Sequence, residues 1–294
     1  MQTAQYNKSV FLVIMGGIFL SLLGIADRNM DAATGPQIAL YRSVSQAIFF
    51  TFVFLVLKKG TVADEFRGIG RRGWLAALFM AAAGFFLIMS FQYTLVANAI
   101  FFVSLTPLVA ALLGWLFLRE KINRRTTLAM AIALIGVAII FGTNMNGEGV
   151  VGMVLAMIMA VCYASSIVTV RTIPQANIIL ICTLNAVLTI IAMLFLVDGF
   201  AISKHDLLIC LALGIVQVGL GGLFVLMGAR HVPAAQVSIL ALIEVVLSPI
   251  WVWLFANEVP SATTLIGGGV VLAGVIYQAL GTRDIDAIAP SGNT

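Results

Sequence analysis

The sequence predicts an all-α membrane protein of ten transmembrane helices, arranged as two inverted five-helix repeats. Three observations lead there: composition, the number of apolar runs of spanning length, and an internal repeat. Of 294 residues, 62% are hydrophobic and only 10% charged, against about half and about a quarter in a soluble domain. A soluble enzyme of this length is excluded. The stretch from Ala97 to Lys121, ANAIFFVSLTPLVAALLGWLFLREK, returns in paler form from Ala235 to Glu258. At a constant offset of 138 residues, Asn98 falls on Gln236, Trp115 on Trp253, Phe117 on Phe255, Glu120 on Glu258, Thr126 on Thr264 and Gly136 on Gly274. Self-similarity at that distance means two related halves rather than a short-period solenoid.

The elements follow in order. Residues 1–8 form a polar N-terminus, placed in the cytoplasm. The run at 9–26 is longer than the roughly 7 to 15 residues of a signal-peptide core, and the rest of the chain is equally apolar, so it counts as the first span. Further runs fall at 36–57, 73–93, 97–118 and 126–143. Each is close to the ~20 residues that cross ~30 Å of hydrocarbon at ~1.5 Å per residue. Residues 73–118 are nearly continuous, far too long for one span, and their only polar interruption is Tyr93 to Asn98, where the chain must turn. These five spans make a first repeat over 9–143. A second repeat over 149–281 holds spans at 149–170, 177–197, 206–228, 234–255 and 263–281. The tail 282–294 is polar and aperiodic, and is expected to be disordered.

Lys and Arg set the orientation. With a cytoplasmic N-terminus, the inner loops and tails hold Lys8, Lys58, Lys59, Arg67, Arg71, Arg72, Arg119, Lys121, Arg124, Arg125, Arg171, Arg230 and Arg283, and the outer loops only Arg28 and Lys204. This bias places both termini in the cytoplasm of a multi-pass protein of the cell (inner) membrane. Five spans per half then oblige the halves to be inserted upside down relative to each other, the plan of many secondary transporters, whose site lies near the midplane where the repeats meet. The net charge of +4 is spread over short loops and implies no nucleic-acid partner. No soluble domain is available to hydrolyse ATP. Cys162, Cys182 and Cys210 lie inside apolar runs without zinc spacing, and His205 and His231 sit in loops on opposite sides; neither a metal nor a cofactor is expected. Gly68 to Gly73 fits G-x-G-x-x-G, but no strand precedes it, so a nucleotide role is rejected.

Glu244 is the sharpest candidate for chemistry. It stands ten residues after Ala234, ~15 Å deep by helix rise, where an ionisable group costs at least ~2.5 kcal/mol and by default faces the bundle interior. It would bind an amine-bearing or cationic substrate, or take up and release a proton; the alternative is a fixed structural carboxylate. Val237, Ala241, Ser248 and Trp251 share its helix face, and Trp251 is the one tryptophan read as a cavity group rather than an interface anchor. Arg42, ~9 Å beyond Pro36, either reaches a substrate carboxylate or Glu244, or snorkels to the outer interface. Gln92, Ser104, Thr106, Tyr163, Asn185 and Gln217 complete the polar set. Thr106 is the repeat mate of Glu244. Each alone serves as interhelical glue, and together they could orient a small metabolite.

The first-half stretch FQYTLVANAIFFVSLTPLVAALLGWLFLREKI resembles the drug/metabolite transporter superfamily, EamA type, in which an Ala-rich helix start leads through a Pro to a Gly-Glu or similar turn. The resemblance covers essentially residues 9 to 281 and includes Tyr41-Arg42 after Pro36. Two departures stand out. The family's Glu-Pro is here Glu244-Val245 with the proline displaced to Pro249, and its turn reads Arg119-Glu120 and Asn257-Glu258. The resemblance implies a secondary transporter, not an enzyme, that moves small organic metabolites such as amino acids or amines by alternating access, with export favoured. It leaves open import of a vitamin or nucleotide-like metabolite such as a flavin. An intramembrane lipid-modifying enzyme would need paired acids, a nucleophile with its base, or a metal set, and the chain offers one mid-membrane acid. A single buried acid permits proton coupling without requiring it, and a unit with an internal site works as a monomer or as a homodimer.

Overall fold

The computed structural model describes residues 2–57, 61–120, 122–143, 148–173, 177–229, 231–232 and 234–288. Among them there is no strand, and ten helices are long and apolar enough to cross a membrane. They are α1 (Gln2–Leu20, resumed as Leu22–Arg28), α2 (Gly35–Leu57), α3 (Val62–Tyr93), α4 (Val96–Val103, resumed as Thr106–Leu118), α5 (Arg124–Thr143), α6 (Glu148–Arg171), α7 (Ile178–Leu196), α8 (Lys204–Ala212, then a π-helical stretch Leu213–Leu220, then Gly221–Gly228), α9 (Ala234–Ala256) and α10 (Ala262–Ile288). With ten spans both chain ends lie at one end of the bundle, here the terminal end. The α1–α2, α3–α4, α5–α6, α7–α8 and α9–α10 connections lie at the other, the far end.

The turn expected between Tyr93 and Asn98 is at Thr94 and Leu95. α3 starts at Val62, well before the expected 73, because a short helix precedes the span and joins it across Gly70, whose φ of 51° and ψ of −159° suit only glycine. That backbone break accounts for a glycine in the rejected G-x-G-x-x-G stretch. α10 continues to Ile288 rather than stopping at 281, and 289–294 lie outside the described residues. So do Lys58, Lys59, Lys121 and Arg230 of the charges that set the orientation.

Large apolar side chains such as Ile48, Phe117, Phe195, Leu208 and Phe255 point outward and are exposed, as they must be where lipid rather than water is the solvent. The interior is built from small residues that let backbones approach. At the α5–α10 crossing a Cβ on Gly136 would lie 2.5 Å from the Gly267 carbonyl oxygen, and one on Gly274 would lie 2.9 Å from that of Ala129. Shifting either contact by the 138-residue offset produces the other.

The same correspondence runs through the bundle. α1 packs on α8 and α9, while α6 packs on α3 and α4; α2 packs on α7, α4 on α9 and α5 on α10. Exchanging each helix for the one five places away returns this set of pairs. The two turns that carry Glu120 and Glu258 also correspond in backbone conformation and in one hydrogen bond. Among the described residues Arg119 (φ 57°) and Asn257 (φ 54°) are the only non-glycine residues with positive φ. The following N–H of Glu120 reaches the Gly114 carbonyl at 3.2 Å, and that of Glu258 the Val252 carbonyl at 3.2 Å. Each helix thus ends on a left-handed residue, a conformation that glycine adopts without strain.

Candidate functional site

α9 continues through Pro249, whose missing N–H leaves the Val245 carbonyl without its helical donor. Val246, Ile250 and Trp253 make its exposed, lipid-facing stripe. Glu244 lies 120° or more around the helix from all three. Its side chain is half-buried. On its α1 side the chain is tightly placed, since a Cβ on Gly17 would meet Ile243 at 2.3 Å and the Glu244 nitrogen at 3.8 Å. Among the described residues Glu244 makes no hydrogen bond and no ion pair.

Tyr163 of α6, 38% exposed, lies in electrostatic range of Glu244 and of Cys182 on α7. An acid near mid-span thus has a phenol from a second helix within electrostatic range, and that phenol in turn has a thiol from a third, nearer the terminal end of its helix. Cys182 was not among the expected site residues, because a thiol in an apolar run reads as a small hydrophobe.

The other candidates are elsewhere or already engaged. Arg42 is buried between α2, α3 and α8: its Nη2 is 3.2 Å from where a Cβ on Gly84 would stand, and its electrostatic neighbour is Cys210. The structure does not bring it to Glu244. Gln217, in the π-helical stretch, donates to the Leu20 carbonyl at 3.3 Å and keeps a buried, unpartnered Oε1; it lines a groove of 360 Å³ between α1 and α8. Thr106 and Ser104 turn back on the Val103 and Phe101 carbonyls, both at 2.6 Å, and tie down the break in α4. Trp251 donates to the Ser21 hydroxyl at 2.9 Å, bracing the break in α1. Gln92 is exposed in the last turn of α3 and donates to Asp27 at 3.3 Å, at the far-end mouth rather than at the midplane. Asn185 accepts at its carbonyl from Thr189 at 2.9 Å.

That mouth carries an ion-pair clasp. Arg28, at the end of α1, bonds Glu258 of the α9–α10 turn at 2.6 Å, and also donates to the carbonyls of Phe91 at 2.8 Å and Thr94 at 2.9 Å. Glu258 in turn accepts from the Val96 N–H at 2.6 Å, one of the free donors at the start of α4. At the terminal end Arg171, closing α6, faces Glu120 of the α4–α5 turn at 3.7 Å. The far-end pair is largely buried, with side chains 26% and 10% exposed, and its counterpart is wet at 51% and 47%. Beside the far-end mouth, ligand atoms of Asp31, His205 and Asp206 lie within 4.8 Å of one another. The Asp206 oxygens are occupied by the N–H groups of Asp31, Ala32 and Ala33 at 2.8, 3.2 and 3.1 Å, so the group is a loop anchor.

Known proteins resemble this chain in sequence and in fold. The profile of the EamA-like transporter family matches residues 7–142 and 150–279. The pseudopaline exporter CntI of Pseudomonas aeruginosa is 24% identical over 278 residues, 92% of this chain and 95% of that protein. Two Bacillus subtilis proteins, the uncharacterized transporters YxxF and YojE, are 26% and 28% identical, over 92% and 47% of this chain and 89% and 49% of theirs. One solved crystal structure superposes with a TM-score of 0.62 at 17% identity, covering 95% of this chain and 99% of that one, which shows a shared fold.

Proposed function

The chain belongs to the EamA-like transporter family, and from that premise we propose that it is a secondary transporter exporting small amine-bearing metabolites by alternating access between two inverted repeats. The observation that carries the substrate class is Glu244: a carboxylate at mid-span, beside the Tyr163 phenol, with free surface and no fixed counter-charge among the described residues. A buried charge without a partner is costly. The cation it lacks arrives with the cargo, or as a proton when the cargo leaves. Export is the direction supported by the name of the relative CntI, and the inner membrane with both termini in the cytoplasm by the distribution of Lys and Arg.

Alternating access is supported by the two clasps. Arg28–Glu258 and Arg171–Glu120 occupy corresponding places in the two halves, and each links the first helix of one half to the fourth-to-fifth helix turn of the other. One is short and sheltered, the other long and wet. A carrier closed at its far end and loosened at its terminal end would show this asymmetry, and the opposite state would exchange the two.

The test is transport by purified protein in proteoliposomes loaded with labelled amines and amino acids, with and without imposed proton and sodium gradients. Movement of an amine-bearing solute in exchange or down an ion gradient is expected. If no candidate amine or amino acid moves under any gradient, the reading is wrong.

A further inference from the structure

Arg42 is a residue 7% exposed, and among the described residues none of its five guanidinium donors meets an acceptor; its Nε is sealed from solvent entirely. One turn further along α2, Gln46 is 2% exposed and its Nε2 is likewise sealed without an acceptor. Residues four apart share one helix face with Cβ atoms about 6 Å from each other. The Arg42 Nε can only donate, so the group it lacks is an acceptor, and beside a cation it carries negative charge. Among the described residues nothing supplies one. α8 is pressed against the backbone here, where a Cβ on Gly214 would lie 2.2 Å from the Arg42 carbonyl oxygen and 2.0 Å from the Ser45 hydroxyl. The titratable neighbour on α8 is the Cys210 thiol. α3 brings Gly84 to the guanidinium, and the Ser45 hydroxyl donates to the Arg42 carbonyl at 3.1 Å without accepting from the Arg42 Nε.

We propose that Arg42 and Gln46 form the anionic subsite of the transported molecule and bind a single carboxylate, forked onto the guanidinium with the Gln46 amide as a further donor. This rests on the amine-transport reading of Glu244 given above. One cation and one neutral amide match a monoanion, and the planar fork of arginine matches a carboxylate. The two subsites also set the spacing of the cargo. Arg42 is seven residues from the far-end start of α2 and Glu244 twelve from the far-end close of α9, roughly 10 and 18 Å along the bundle. Side chains lean toward the N-terminus of their helix, which draws these two further apart. The amine and carboxylate of one α-carbon, about 3 Å apart, cannot satisfy both. The cargo carries its amine and its carboxylate several bonds apart.

The experiment is thermal stabilisation of detergent-purified full-length protein by glycine, hexylamine, hexanoate, 6-aminohexanoate, 8-aminooctanoate and 6-aminohexyl phosphate, because a ligand of the native state raises its midpoint by mass action. One of the two long amino acids is expected to stabilise the wild type most, and glycine not at all. In Arg42→Gln and in Gln46→Leu the advantage of that amino acid over hexylamine disappears, with apparent affinity at least tenfold weaker, while Arg42→Lys keeps part of it. If Arg42→Gln does not fold, Gln46→Leu and Arg42→Lys carry the comparison, since both retain the charge. The proposal is overturned if the wild type treats 6-aminohexanoate and 8-aminooctanoate like hexylamine, if the phosphate ligand ranks above them, if no carboxylate probe shifts the midpoint, or if the variants keep the wild-type ranking. A hexanoate response lost in Arg42→Gln, with none to hexylamine, sinks the Glu244 reading while the anionic subsite stands.

Discussion

At the scale of single residues, an intramembrane polar group is informative when it has no partner. Glu244 and Arg42 stand out in the sequence because a charge inside an apolar run is rare. Gln46 and Cys182 do not, because an uncharged polar side chain there reads as glue or as filler. Thr106 and Trp251, singled out from the sequence, turn out to be tied to the Val103 carbonyl and the Ser21 hydroxyl. Glu244→Gln keeps shape and removes charge, so it separates recognition from packing. It should weaken the stabilisation by hexylamine at least tenfold, a loss of about 1.4 kcal/mol, while leaving the unliganded midpoint unchanged or higher, since an unpaired buried charge is destabilising. Equal amine responses in both proteins would move the cation site away from Glu244.

Helices and their turns carry the moving parts. The breaks at Ser21 and after Val103, the π-helical stretch of α8 and Pro249 in α9 all lie in helices that pack on one another, α1 on α8 and α9 and α4 on α9, and irregular backbone at membrane depth is tolerated where protein or a cavity surrounds it. The rigid α5–α10 crossing, by contrast, is held by glycine contacts repeated at the two corresponding levels. If the clasps open in alternation, tying either one stops the cycle. In a cysteine-free background, Arg28→Cys with Glu258→Cys, bridged by a short bis-methanethiosulfonate reagent, should abolish transport and regain it on reduction. Arg171→Cys with Glu120→Cys should do the same. Full transport with the far-end pair bridged would mean that this end never opens.

On the scale of the whole molecule, the apolar exterior makes the bilayer the solvent, and the Lys and Arg distribution sets which way it sits. A membrane-impermeant maleimide applied to intact cells should label Lys204→Cys and spare Arg67→Cys until the membrane is permeabilised. The reverse pattern would invert the protein and exchange the two clasps between the faces of the membrane.

Ten spans and their approximate ends were readable from one chain, because partition into hydrocarbon depends on hydropathy averaged over about 20 consecutive residues, a local property. The 138-residue repeat was readable for the same reason, since each copy meets the same solvent with the same helix. Helix irregularities were not, because Gly70 and the break in α1 respond to neighbours as much as to their own residues. Least readable was which polar groups meet. That Arg28 finds Glu258 across 230 residues of chain, that Tyr163 comes near Glu244 across 81, and that Arg42 meets neither acid nor acceptor among the described residues follows from which helices pack together. Pairing of that range leaves no local pattern, and only the assembled bundle shows which charges are left for a ligand to meet.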